Sequence, residues 1–300
     1  MPQTLLQFLR GFLMGSADIV PGVSGGTIAL VVGIYERLIA NVRGGASALA
    51  SGAKGRASET IRKLSHVEWG WLVPLGVGVL TALLVLAHTI EHLLEEQPVR
   101  MSGLFFGLVA GSVVLAWRMV GSPDAARLAV TLATAVVAFF VLGLKSGPVD
   151  DPSVALYFVA GAIAICAMIL PGISGSFLLL MLGMYDNVLG LVTDRDVLPL
   201  AVFAVGCVLG LALFSTGLHW ALGHHHDTVM AAMVGLLLGS LRVLWPWPDG
   251  TESTTMTGPQ GEVLAVVGLM ALGAAVVVGL SIIAGRRDAL DDVEEAHSPT

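Results

Sequence analysis

Pro21-Gly22-Val23-Ser24-Gly25-Gly26-Thr27 breaks a long apolar run near the start of the chain, and Pro171-Gly172-Ile173-Ser174-Gly175-Ser176-Phe177 repeats it. The offset, from position 21 to position 171, is 150 residues, half of the 300-residue sequence. The match extends to both sides. Gly11 corresponds to Gly161, Ala17 to Ala167, Ile19 to Ile169, Gly33 to Gly183, Tyr35 to Tyr185 and Val42 to Val192, with acidic Glu36 opposite acidic Asp186. Similarity at one fixed offset is the mark of a duplicated unit.

Composition sets the solvent. The chain is 55% hydrophobic and 12% charged, with a mean hydropathy of +0.85. Soluble domains carry about 25% charged residues, so this is an integral membrane protein. The net charge of −7 says little about partners, because orientation follows the Lys/Arg distribution. No basic patch is interleaved with aromatics, which excludes a nucleic-acid surface. Cys166 and Cys207 each lie inside an apolar run and read as small buried thiols. No cysteine spacing suits a metal or a disulfide framework. The N-terminus lacks a basic start and a small-residue cleavage site, so no signal peptide is read.

The first unit covers 1–148. Its broken segment, 4–40, has two arms of about 16–18 residues, or roughly 24–27 Å of helix. Each arm is short for a hydrocarbon core of about 30 Å, and the two joined are far too long for one span. A re-entrant hairpin fits, with small polar residues at its tip. A basic cytoplasmic loop, 41–68, follows, partly helical near 56–66, and then spans at 70–93, 101–120 and 126–144. The second unit, 149–285, has its own re-entrant pair at 155–192 and spans at 198–222, 229–245 and 262–284. Residues 286–300 form a charged cytoplasmic tail, read as disordered. Gly107-x-x-x-Gly111-Ser112 and Gly235-x-x-x-Gly239-Ser240 match at an offset of 128 and mark close helix packing. Trp245-Pro246-Trp247 and the two matched tyrosines read as membrane-interface residues.

A hairpin adds no net crossing and three spans add an odd number. The second unit therefore starts on the opposite side, giving inverted-topology repeats. With both termini cytoplasmic, 11 of the 15 Lys and Arg residues fall inside, and Arg100, Lys145, Arg195 and Arg242 fall outside, in line with the positive-inside rule. A rival topology, in which each broken segment spans once, divides the same charges 10 to 5. The fold class is thus all-α and integral to the membrane: two inverted repeats, each a broken helical hairpin followed by three transmembrane helices.

Non-helical backbone at membrane depth is tolerated only inside protein or beside a water-filled cavity. Two broken tips therefore imply a cavity near the midplane. Pro21, Gly22, Pro171 and Gly172 make the breaks. Ser24 and Ser174 are N-cap candidates for the helices that follow. The free N–H groups around Ser24, Gly25, Gly26 and Thr27, and around Ser174, Gly175 and Ser176, suit an anion, aided by the helix dipole. Tight turns alone would need Pro and Gly but not the matched serines. Asp18 stands three residues before Pro21 in an apolar arm, where an ionisable group is by default a functional hypothesis. It suits a proton carrier, a partner for an arginine, or a carboxylate satisfied by the hairpin's own backbone. Glu36 and Asp186, near the ends of the second arms, are further candidates for proton coupling or gating. His224-His225-His226 reads as a solvated loop and not a metal site, since consecutive histidines point in different directions.

Gly15-Ser16-Ala17-Asp18-Ile19-Val20-Pro21-Gly22-Val23-Ser24-Gly25-Gly26-Thr27 with Gly33-Ile34-Tyr35-Glu36, and Met168-Ile169-Leu170-Pro171-Gly172-Ile173-Ser174-Gly175-Ser176 with Gly183-Met184-Tyr185, resemble the two signatures of the bacterial polyprenyl-phosphate transporters. The resemblance covers nearly the whole chain. It implies a flippase of the bacterial cytoplasmic (inner) membrane that returns the carrier lipid undecaprenyl phosphate for cell-wall and surface-glycan assembly. No cofactor or metal is implied, and a homodimer is compatible with the sequence. The chain departs from the resemblance in its histidine-rich loop and in lacking a basic residue near Phe214-Ser215-Thr216; Arg242 or the motif backbone would then serve phosphate. The residues themselves suggest a mechanism in which the headgroup sits between the two tips and the inverted halves rock. The alternative is a secondary transporter of a small anionic solute. An intramembrane enzyme is disfavoured, because no nucleophile with a matching base is present.

Overall fold

The computed structural model describes residues 3–20, 22–144, 146–193, 195–250 and 255–297. Among these there are twelve helices and no strand. Pro21, assigned above to the first break, lies outside the described residues. The first unit comprises α1 (Gln3–Asp18), α2 (Gly25–Val31), α3 (Tyr35–Ala53), α4 (Ala57–Ser65), α5 (Trp69–Glu96), α6 (Pro98–Arg118) and α7 (Ala125–Val141). The second comprises α8 (Val154–Ile169), α9 (Gly175–Met181), α10 (Tyr185–Thr193), α11 (Val197–Ser240) and α12 (Val263–His297). α5, α6 and α11 are long and apolar enough to cross a membrane, and α7, α8 and Val263–Gly279 are shorter apolar helices.

The two broken segments fold by the same local rules. After each break Gly22 and Gly172 take φ of 85° and 83°, a left-handed backbone that glycine adopts without penalty. The short helices α2 and α9 then end alike. Gly33 N–H bonds Leu30 O and Ile34 N–H bonds Ala29 O; Gly183 N–H bonds Leu180 O and Met184 N–H bonds Leu179 O. This is the Schellman pattern, and it explains why the glycines at 33 and 183 are matched. It also corrects the sequence reading. The second arm is not one helix of 16–18 residues but a seven-residue helix, a turn and a new helix. α3 carries that new helix to Ala53, so most of the expected loop at 41–68 is helical.

α11 runs for 44 residues, about 66 Å at helical rise, twice a hydrocarbon core. His225 divides it, with φ of −137° and ψ of 42°. The expected loop between spans 198–222 and 229–245 is therefore a sharp break. The charged stretch from Arg286, read as disordered, continues α12 as helix. Trp247 is buried, its indole N–H bonding Gln260 O, and is not an interface residue.

Helix pairing is set by glycines whose missing side chains admit a neighbouring backbone. Gly11 of α1 meets Leu75 and Gly78 of α5 meets Phe8; Gly161 of α8 meets Phe203 and Gly206 of α11 meets Phe158. These are the same four positions in each unit. In the first unit the contacts advance together, Gly11 with Leu75 and then Gly15 with Val79, so the pair is parallel. The later helices pair across the units. Gly103, Gly107 and Gly111 of α6 meet Val266, Met270 and Ala274 of α12, while Gly235 and Gly239 of α11 lie against Thr131, Ala135 and Ala138 of α7. Thr131 also donates to Ala231 O at 2.9 Å. Both Gly-x-x-x-Gly motifs thus sit at exchanged seams.

A polar junction fastens α3 to the start of α5. Arg37 pairs with Glu68 and stacks over Trp71. Asn41 donates to Glu68 Oε1 at 3.1 Å and accepts from Glu68 N–H at 2.8 Å. Arg37, then Asn41, hold the Glu68 carboxyl below the usual carboxylate range.

Two outcomes follow from this packing. Gly107→Val places a side chain into the Met270 backbone and should cost about 1–3 kcal/mol, read as a lower Tm in detergent. Gly76→Val, where a Cβ meets open space, should change it little. Glu68→Gln should lower Tm by a few degrees at neutral pH, since exposed ion pairs contribute at most about 1 kcal/mol. The ionised carboxylate's contribution is complete above the ordinary glutamate value of about 4.3 and is lost as pH falls through the depressed value. Wild type and variant should therefore converge in acid; a gap that persists there contradicts the assignment.

Candidate functional site

The two broken tips meet. Ser24 is fully buried, Thr27 is 1% exposed and Ser174 5% exposed. The Ser24 hydroxyl faces Met168 O at 3.3 Å and Leu170 O at 3.2 Å, both from the second break. Thr27 Oγ1 accepts from Gly172 N–H at 2.8 Å. Tyr35 is buried and donates to Ile169 O at 3.1 Å. Ile169 O also lies 2.7 Å from where a Cβ on Gly26 would stand. Only glycine at 26 lets the second break come this close.

These bonds have a physical cause. The second break leaves the carbonyls of Met168, Ile169 and Leu170 without helical partners, and an orphan carbonyl in an apolar interior costs about 1–3 kcal/mol. Ser24 and Tyr35 of the first unit supply the donors. The interlock joins residues some 134 to 146 positions apart. The sequence pairs Ser24 with Ser174 by register, but it carries no signal that Thr27 would reach Gly172. Tyr35 was assigned to the membrane interface; it is instead a buried clamp between the tips. Tyr185 is 39% exposed.

The tips are alike in path and different in hydrogen bonding. Ser24 caps α2 as expected, its Oγ accepting from Gly26 N–H at 3.0 Å. Thr27 and Ile28 N–H bond Ser24 O. Gly25 N–H is taken by Asp18 Oδ1 at 2.6 Å. The first four donors of α2 are thus satisfied within their own segment. Ser174 makes no such cap. Its Oγ lies 2.8 Å from Ser176 Oγ instead, and Ser176 is exposed. Among the described residues, Gly175, Ser176 and Phe177 N–H find no acceptor corresponding to those of the first tip. Asp18 has Met168 as its counterpart in the second unit, and that difference underlies the asymmetry. A carboxylate occupies the first helix start; nothing equivalent occupies the second.

The remaining candidates lie elsewhere. Glu36 accepts from His226 Nε2 at 2.9 Å at the break in α11, and His226 Nδ1 lies 3.2 Å from Asp227 Oδ1. Asp227 in turn accepts from Gly121 and Ser122 N–H. His226 and Asp227 therefore join α3, α11 and the α6–α7 turn, while His224 and His225 are exposed as expected, on a broken helix and not a loop. Asp186 is exposed in a recess of about 360 Å³ with Asp196 and Asn187. Neither Glu36 nor Asp186 joins the tip bonds. Beside the second tip, α8 and α11 bound an open apolar groove of about 620 Å³, lined by Cys166, Gly210, Phe214 and Gly217.

Comparison with known proteins agrees with the motifs. A family model described as undecaprenyl phosphate translocase-like matches residues 14–263. A protein of Vibrio cholerae serotype O1 named polyprenyl-phosphate transporter is 36% identical over 298 residues, covering 92% of this chain and 96% of its own. A Staphylococcus aureus protein of the same name is 29% identical over 258 residues, covering 80% and 86%. No solved structure matches. With both motifs, both breaks and five-sixths of the chain inside that match, this protein belongs to the undecaprenyl phosphate translocase-like family.

Proposed function

We propose that the protein is a flippase for undecaprenyl phosphate in the bacterial cytoplasmic membrane, with the phosphate engaging the paired tips. The observation that carries this reading is the meeting of two matched helix breaks in a buried centre, side chains of the first on backbone groups of the second. The family match and the names of the two relatives support the lipid. The apolar groove beside α8 and α11 supports a tail left in the bilayer over a small solute in a sealed cavity.

In this conformation the donors available to a headgroup are those of the second tip: the Ser174 and Ser176 hydroxyls and the N–H groups of Gly175 and Ser176. Gly25, Gly26 and Thr27 are engaged with their own segment and become available only when the first tip opens. Each re-entrant hairpin serves one leaflet, as inverted repeats require. Parallel packing of α1 on α5, and of α6 on the exchanged α12, is consistent with that topology. The exchange also refines the motion. Whole sequence halves do not rock, because α6–α12 and α7–α11 bind them together; the tips move against that shared core. Asp18 couples the opening to protons, because neutralising it replaces the charge-assisted bond to Gly25 N–H by a weaker neutral one. Glu36, through His226, and Asp186 act in gating at the periphery.

Labelled undecaprenyl phosphate in proteoliposomes tests the tips. Ser174→Ala/Ser176→Ala should slow translocation roughly tenfold or more, the loss expected for hydrogen bonds to a charged group. The bulkier Ser24→Leu/Ser174→Leu pair should abolish it, and unchanged transport in both would remove the tip model. Asp18→Asn keeps an acceptor for Gly25 and cannot ionise. Its transport should lose pH dependence, and a full wild-type pH profile rules out the proton role.

A further inference from the structure

The tip model as it stands offers the phosphate only neutral donors. We infer that Arg242 supplies the missing charge, as the cationic partner of a phosphomonoester at the second tip. This rests on the reading above that the second tip receives the headgroup.

Arg242 stands in the turn that ends α11, and this turn holds both tips. A Cβ on Gly172 would lie 2.9 Å from Ser240 Oγ, and one on Gly22 would lie 2.8 Å from Val243. Leu142 and Val243 form one buried cluster with Ala167 and Ile173 of the second tip, against which Phe177 and Leu178 of α9 pack. Arg242 adjoins Val243 in sequence, and Gly143, adjoining Leu142, lies directly against its guanidinium. The guanidinium is therefore held at the edge of the cluster that seats the second tip.

Its own contacts leave it ready for an anion. The guanidinium carbon sits 4.6 Å from the Phe139 ring centroid. Stacking on an aromatic face fixes the plane of the group and leaves its N–H edge for an oxyanion, which a guanidinium binds in bidentate fashion. Arg37, Arg56, Arg100 and Arg127 are each paired with a carboxylate. Among the described residues none pairs with Arg242. Gly143 makes the position possible, since a Cβ there would collide with the guanidinium. An unpaired, half-buried cation is costly unless a counter-ion visits it.

A phosphomonoester can come as a lipid headgroup or as free phosphate, and titration calorimetry on the purified full-length chain distinguishes them. Farnesyl phosphate is the lipid probe and inorganic phosphate the free one. Arg242→Gln should raise the Kd for farnesyl phosphate about tenfold or more, and Arg242→Lys should fall between, keeping charge without the planar fork. Gly143→Ala keeps the charge but displaces the guanidinium, so it should also weaken binding. Arg118→Gln, an exposed arginine at the end of α6, should bind as wild type. Wild-type affinity in both Arg242→Gln and Gly143→Ala overturns this inference and leaves the tip model standing. Failure of wild type to bind farnesyl phosphate overturns both. Equal affinity for inorganic phosphate, lost in Arg242→Gln, keeps the arginine assignment and removes the lipid.

Discussion

A carbonyl or N–H in an apolar interior must be paired, and this protein breaks a helix twice where water is scarce. The second break takes the carbonyls of Met168, Ile169 and Leu170 out of the helical ladder, with only a long turn bond from Ile173 N–H to Leu170 O in its place. The Ser24 hydroxyl lies within bonding distance of Met168 O and Leu170 O, and the Tyr35 hydroxyl closes Ile169 O. The satisfaction is mutual, because Thr27 of the first break takes the N–H of Gly172 in the second. Neither segment can hold its path without the other. That mutual dependence sets where the tips stand, which helices must surround them, and which polar groups are left over for a ligand.

Much of this was legible in the sequence. Two Pro-Gly breaks in apolar runs, at one offset, led to paired hairpins, and the structure brings the two breaks together. Ser24 behaves as the cap its position implied. The glycines at 33 and 183 were visible as a match, but their meaning as helix terminators was not. The stretch 41–68 misled because its Gly, Ser and Ala content resembles a loop. Packing against α11 and the Arg37–Glu68–Asn41 junction keep α3 helical there. Long-range partners could not be read at all. Tyr35 resembled an interface residue, and its acceptor lies 134 positions away. The buried Trp247 misled for the same reason: an aromatic near the end of a span has the same local sequence whether it faces lipid or a loop.

The asymmetry between the copies is equally informative. Duplication supplies two equivalent tips, yet Asp18 faces Gly25 while Met168 faces Gly175. One carboxylate closes one helix start with a charged acceptor, and a thioether leaves the other without one. The serines have diverged with it, Ser24 turned toward its neighbour's backbone and Ser174 toward Ser176. Two tips matched in sequence thus differ in bonding: the helix-start donors of the first are closed within their own segment, and those of the second are not.

The exchanged seams carry a consequence for ancestry. α6 lies on α12 and α7 on the second part of α11, so the last helices of each unit find their partners only in the other. A lone unit would expose a bare glycine furrow on its second-last helix. It would have been stable only as a couple, each copy lending its final helices to its sibling.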